Sequence, residues 1–270
     1  MKLPFWKMNG AGNDFVCVDN RRGTLRLTKK LVARLCHRTG GIGADGLLAI
    51  EKSPVAGADF RMRYFNADGG EADMCGNGAR CFAMFLRLKA GWRKPVVRFL
   101  TGAGIVQGEF VGREVRVQLT PPGAPDLNRP VTVEGREITV HSINTGVPHA
   151  VTYVADADSV AVFELGRKLR FHEVFQPKGT NVNFVEVKGR NHIRVRTYER
   201  GVEGETLACG TGVTACALVS HLVHGFTSPV RVRVQNGDIL KVSFNKTADG
   251  FADVRLQGPA VVNFEGTIHV

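Results

Sequence analysis

Apolar and polar residues follow two rhythms along the chain. Alternation over short runs marks half-buried strands, and spacing of three to four residues marks helices. Residues 5–8 enter a first strand, residues 9–14 turn, and residues 15–19 continue it. Thr28 is placed to cap a helix running to about Arg38, with Leu31 and Leu35 at helical spacing. A glycine-rich stretch, residues 40–46, leads into a strand over residues 47–51. It precedes a strand, with no Lys-Ser/Thr and no following helix, so it is neither a P-loop nor a dinucleotide-binding turn. Residues 60–65 alternate, residues 66–71 turn, and helix-forming sequence fills residues 79–90. Strands and glycine turns then follow one another up to Leu119. The stretch 120–125, with Pro121, Pro122 and Pro125, and then Pro130, reads as the clearest linker. Beyond it come strands at 131–133 and 137–144, a turn at 145–149, strands at 181–186 and 193–198, and a helix over 213–223.

The second half of this pattern repeats the first. The run Phe60, Arg61, Met62, Arg63, Tyr64, Phe65 matches Ile193, Arg194, Val195, Arg196, Thr197, Tyr198. In both halves a polar turn, an acidic loop, a cysteine and a helix follow, and the second loop is one residue longer. Recurrence of a whole unit in the same order argues for duplication and two similar domains. The first ends near residue 120 and the second begins near residue 131.

Composition changes this picture little. With 270 residues, 43% hydrophobic and 23% charged, the chain has the makeup of a globular protein of one large or two ordinary domains. Its 32 glycines point to tight backbone geometry. A net charge of +11 raises the question of nucleic acid, but the arginines are scattered, with no dense basic run. The charge is read as a basic solvated surface, with no nucleic-acid partner. Pro4 and Lys7 interrupt any signal-peptide core, and no apolar run approaches the roughly 18 residues of a membrane span. Six cysteines in a chain this long make no disulfide scaffold, so a cytoplasmic protein with reduced thiols and no membrane association is expected.

The candidate chemistry lies in the two cysteine blocks, Cys75-Gly76-Asn77-Gly78 and Cys209-Gly210-Thr211-Gly212. Each precedes helix-forming sequence, where unpaired backbone N–H groups and the positive end of the helix dipole favour a thiolate. One thiolate acting as base and one thiol as acid, on opposite faces of a carbon, can invert a stereocentre. The amides of Gly76, Asn77, Gly210 and Thr211 could hold a carboxylate beside the reacting carbon and spread its developing charge. Inert burial is a poor alternative for glycine-flanked cysteines in polar loops. The spacings to Cys81 and Cys216 fit no common zinc site, so no metal is expected. A dithiol oxidoreductase is the stronger competitor. Cys81 and Cys216, a turn or two into their helices, read as packing residues, as do Cys17 and Cys36. Asn13, in the first glycine-rich loop, either lines a site or makes an Asx turn.

With Asn13, Asn66, the block from Cys75 to Cys81, Asn181, Glu199, Arg200 and the block from Ala208 to Gly212 in view, the chain resembles the diaminopimelate epimerases over essentially its whole length. The resemblance implies an α/β (α+β) fold of two pseudo-symmetric domains, each a curved, mainly antiparallel sheet wrapped around a central helix. The first would span residues 1–120 plus a returning C-terminal strand, about 262–270, and the second residues 131–261. It further implies a homodimer that epimerises LL- to meso-diaminopimelate without a cofactor, in lysine and peptidoglycan precursor synthesis. Carried over by position, Cys75 and Cys209 are the acid/base pair, and Gly76, Asn77, Gly210 and Thr211 hold the α-carboxylate. Asn13, Asn66, Asn181 and Arg200 read the distal end of the substrate, and Glu199 lies close to the reacting amine. His149 matches a supporting active-site position, or else serves only to stabilise its turn. Gly46 stands where many members carry Gln and Val147 where many carry Asn, so two polar contacts to the distal end are missing. A proline or hydroxyproline racemase of the same two-cysteine type fits less well, because the asparagines and Arg200 would have no second charged end to read.

Overall fold

The computed structural model describes residues 2–270. The chain divides into two compact units. One runs to Gln118 and takes in Gln257–Val270, and the other is Leu119–Leu256.

In the first unit the elements are β1 (Lys2–Gly10), β2 (Asn13–Asp19), α1 (Lys29–Cys36), β3 (Gly46–Lys52), β4 (Phe60–Asn66), β5 (Glu71–Ala72), α2 (Gly76–Lys89), β6 (Val96–Thr101), β7 (Gly104–Val111) and β8 (Glu114–Gln118). Strands β1–β2, β3–β4, β6–β7 and β7–β8 pair antiparallel. Strands β2–β3 and β4–β6 pair parallel. A parallel step needs a crossover, and α1 and α2 supply the two.

Thr28 caps α1 by accepting the Leu31 N–H at 3.2 Å. The helix ends at Cys36, two residues before the expected Arg38, because His37 takes an extended backbone (φ −66°, ψ 124°). Its apolar side, Val32, Leu35 and Cys36, packs on Val16, Val18, Leu47, Ala49 and Phe65. The other face of the sheet is filled by α2, which is buried without a break from Gly76 to Leu86. A helix apolar on all sides needs cover on all sides, and α2 touches β1, β2 and β3 as well as β7 and β8. The sheet therefore curls around it.

The second unit repeats this order. It contains β9 (Asp126–Val133), β10 (Arg136–Asn144), β11 (Pro148–Tyr153), α3 (Val162–Arg170), a 3-10 turn (Glu173–Phe175), β12 (Asn181–Gly189), β13 (His192–Glu199), β14 (Gly204–Thr206), α4 (Gly210–His224), β15 (Val230–Arg233), β16 (Ile239–Thr247) and most of β17 (Gly250–Pro259), whose end from Gln257 belongs to the first unit. The parallel steps are β11–β12 across α3 and β13–β15 across α4. Helix α4 is buried from Gly212 to Ser220 and touches β10 to β13, β15 and β16. The final strand, β18 (Val261–His269), runs antiparallel to β1 in the first unit.

Several elements differ from the sequence reading. Both central helices begin directly after their cysteines, three residues before the expected starts, because Gly76-Asn77-Gly78 and Gly210-Thr211-Gly212 are helical despite poor propensity. Part of the presumed linker is strand β9, with Pro130 opposite Thr139. The presumed turn at 145–149 already includes the start of β11. Helix α3 was not expected. Gly166 in its middle weakens the helical pattern, but a methyl group there would lie 2.5 Å from Tyr198 Cβ. The glycine lets α3 lie close on β13.

Candidate functional site

Each unit presents one cysteine at the mouth of its central helix. Cys75 is the N-cap of α2, with an extended backbone (φ −138°, ψ 123°), and its Sγ accepts the Gly78 N–H at 3.5 Å. Cys209 is the N-cap of α4 (φ −115°, ψ 109°), and its Sγ lies 3.4 Å from Thr211 Oγ1. The two residues after each cysteine occupy the first turn, where backbone N–H groups have no carbonyl one turn back to receive them. Gly76, Asn77, Gly210 and Thr211 all hold such positions.

In the first unit, Asn13 and Asn77 are directly joined. Asn77 Nδ2 donates to Asn13 Oδ1 at 2.6 Å, and Asn13 Nδ2 donates to Asp45 Oδ2 at 3.1 Å. Asn77 is itself buried, and its Oδ1 accepts from Arg80 Nη2 at 3.0 Å. The same Arg80 nitrogen donates to the Gly10 carbonyl at 3.1 Å. Asn66, exposed at the end of β4, accepts the Tyr64 hydroxyl at 2.8 Å. Gly46 pairs with Phe15 on one side and Asn66 on the other, which brings Asn13 and Asn66 to the same end of the sheet. No side chain fits at Gly46: a methyl group would lie 2.5 Å from the Phe65 carbonyl oxygen and 2.9 Å from the Tyr64 ring.

Behind Asn13 stands a charged cluster. Asp14 meets Lys7 at 2.9 Å and Arg38 at 3.1 Å, and Arg38 also meets Asp45 at 2.7 Å. Burial works to raise the Asp14 pKa, but hydrogen bonds from Arg38, Lys7 and the Asp45 N–H outweigh it and bring it down to about 2.

In the second unit the register of β11 and β12 sets His149 beside Asn181. Asn181 Nδ2 donates to the Pro148 carbonyl at 3.0 Å, and its Oδ1 accepts the Arg200 N–H at 2.9 Å. Arg200 Nη1 donates to the Lys178 carbonyl at 3.0 Å. Glu199, at the end of β13, accepts from Thr206 Oγ1 at 2.8 Å. His149 is 1% exposed. Burial, with the Arg200 charge adding to it, lowers its pKa to about 3, so the ring is neutral. The ring reaches the first turn of α4: a methyl group on Gly212 would lie 3.3 Å from His149 Cε1 and 2.5 Å from Asn183 Oδ1. Val147 offers no polar group, but its carbonyl accepts the Thr145 N–H at 3.2 Å and shapes this turn.

The site residues read from the sequence thus gather at one end of each sheet, around the mouth of its central helix. Further residues take part in these networks, among them Asp45, Tyr64, Arg80 and Asn183. The last could have been noticed, since Asn181 and Asn183 alternate and share a strand face. Cys17, Cys36, Cys81 and Cys216 are buried, as packing residues should be. Among the described residues, no group of three or more His, Cys, Asp or Glu is placed to hold a metal ion. No helix among them is long and apolar enough to cross a membrane.

A family model described as diaminopimelate epimerase matches residues 5–123 and 141–256. A diaminopimelate epimerase of Aquifex aeolicus is 46% identical, with 98% of each chain covered. One of Chlorobaculum tepidum is 43% identical, covering 97% of this chain and 99% of the relative. Among solved structures, a PhzF-family phenazine biosynthesis protein of Bacillus anthracis superposes with a TM-score of 0.78 at 18% identity, each chain fully covered. A hydroxyproline epimerase from Agrobacterium vitis gives 0.73 at 17% identity, over 99% of this chain and 92% of that one. At such identities the structural likenesses speak for the fold alone.

Proposed function

The chain belongs to the diaminopimelate epimerase family, and from that premise we propose that it interconverts LL- and meso-diaminopimelate with Cys75 and Cys209 as the acid/base pair and no cofactor. The observation that carries the reading is the duplication of one device: a cysteine N-capping a buried helix, followed by two first-turn amides, in each unit.

One thiolate takes the α-proton and becomes a thiol, leaving a carbanion. The other thiol gives its proton to the opposite face and becomes a thiolate. No electrons leave the substrate, and the two cysteines exchange protonation states. The amides of Gly76, Asn77, Gly210 and Thr211 serve the adjacent carboxylate, whose charge grows as the proton departs.

The distal amino-acid end falls to Asn13, Asn66, Asn181 and Arg200. Asn13 Oδ1 accepts from Asn77 and has a second lone pair to accept from an ammonium. The Arg200 guanidinium carries five donors, of which the Lys178 carbonyl takes one, and suits a carboxylate. Glu199 lies on the side of the reacting amine and His149 supports the site. A homodimer in the cytoplasm with no nucleic-acid partner completes the reading, supported by family resemblance and by arginines that form no dense basic run.

The test is incubation of the purified, reduced protein with LL-diaminopimelate and no added cofactor, followed by chromatographic separation of stereoisomers. Accumulation of the meso isomer is expected. Inertness toward diaminopimelate with racemisation of proline would overturn the substrate assignment.

A further inference from the structure

Asn183 lies in β12, two residues beyond Asn181, and is completely buried. Its amide nitrogen is 2.9 Å from the Ala150 carbonyl oxygen and 3.2 Å from His149 Nδ1. A carbonyl oxygen can only accept, so the atom facing Ala150 must be the NH2 group. That requirement fixes the amide without appeal to its other neighbours. The Asn183 oxygen then faces Thr197, whose hydroxyl donates to it at 2.9 Å.

One N–H of the amide is used on Ala150. The other is directed at His149 Nδ1, which must therefore carry a lone pair. In a neutral imidazole this leaves the proton on Nε2. That atom is buried and has no hydrogen-bond partner among the described residues. A buried N–H donor is costly to leave unmatched, and this one belongs to a ring at the first turn of the helix that Cys209 caps.

We propose that Asn183 is a positioning residue that locks His149 in the Nε2–H tautomer, so that the ring offers a hydrogen-bond donor to an acceptor in the bound complex. The inference rests on the epimerase reading for the identity of that complex, but the tautomer itself does not depend on it. Gly212 belongs to the same arrangement, since a methyl group there would drive into the Asn183 oxygen. The Thr197 hydroxyl holds that oxygen in place from the far side.

The experiment is long-range proton–nitrogen correlation NMR on the full chain labelled with 15N-histidine, with His149→Gln assigning the signal. The wild type should show His149 protonated at Nε2 and bare at Nδ1. In Asn183→Asp an acceptor oxygen replaces the donor opposite Nδ1, so the proton should move to Nδ1. Turnover of that variant should fall about tenfold or more, with KM changed much less. A wild-type ring protonated at Nδ1 overturns the proposal, and that reading decides the matter even if the variant does not fold. A folded Asn183→Asp that keeps the proton on Nε2, or moves it without loss of turnover, overturns it equally. A wild type inert toward diaminopimelate would count against the proposed function while leaving the tautomer readable.

Discussion

Asn77 donates a 2.6 Å hydrogen bond from Nδ2 to Asn13 Oδ1, tying the first turn of α2 to the start of β2. The Asn77 oxygen meanwhile accepts from the buried Arg80 guanidinium. One side chain thus supports the fold through its oxygen and orients Asn13, proposed to read the distal end of the substrate, through its nitrogen.

The two roles separate by substitution. Asn77→Ala removes both hydrogen bonds and takes an acceptor from a buried cation, so it should cost about 2 kcal/mol or more. Asn77→Asp keeps an acceptor for Arg80 but loses the donor to Asn13. It should be the more stable variant in urea unfolding, while KM for diaminopimelate rises in both. An unchanged KM in Asn77→Asp would remove Asn13 from the binding account.

Gly46 has no room for a side chain. The Tyr64 ring and the Phe65 carbonyl fill the space a side chain would need. Gly46→Gln is therefore expected to gain no substrate contact and to lose about 1–3 kcal/mol through overpacking. Thermal unfolding checks the loss. A variant with wild-type stability and a lowered KM would show that the space can open.

Much of this was legible in the sequence. A cysteine followed by Gly-x-Gly and then apolar residues reads as a helix mouth, and the recurrence of strand, loop and cysteine exposes the duplicated unit. What stayed hidden depends on tertiary pairing. Asn183 and His149 stand 34 positions apart and meet only through the parallel register of β11 and β12. Helix α3 was obscured by Gly166, whose value lies in contact with Tyr198 and not in local propensity. Pro130 suggested a linker because proline lacks a ladder donor, yet it stands within β9.

Two groups give the fold a pH dependence of known sign. The folded state holds His149 neutral, with its pKa lowered by burial from 6.5 to about 3. The unfolded chain therefore binds a proton that the native one refuses, and stability falls as pH drops from about 6.5 toward 3. Asp14 acts lower down: its pKa falls from 3.8 to about 2, so its contribution is present above about 4 and is lost as pH drops through 2. Urea unfolding between pH 7 and about pH 4.5 should show a shallower loss in His149→Gln than in the wild type. Parallel curves would mean that the ring is solvated in the native state.

Cys81 and Cys216 serve as internal controls. Both are fully buried in their helices, and burial pushes the Cys81 thiol up to about 12 and the Cys216 thiol well above its usual value. Replacing either with Ala should lower stability by about 1 kcal/mol and leave turnover per folded molecule unchanged. Loss of turnover in a folded Cys216→Ala would call for a chemical role at that thiol.

If Cys75 and Cys209 work on opposite faces of one α-carbon, as proposed, solvent isotope reports it. Reduced protein is incubated with LL-diaminopimelate in D2O without cofactor, and α-deuterium and meso product are followed in the wild type, Cys75→Ala and Cys209→Ala. Meso product carrying α-deuterium is expected from the wild type, and no meso product from either variant. Undiminished deuterated meso product from either single variant would contradict the two-thiol assignment.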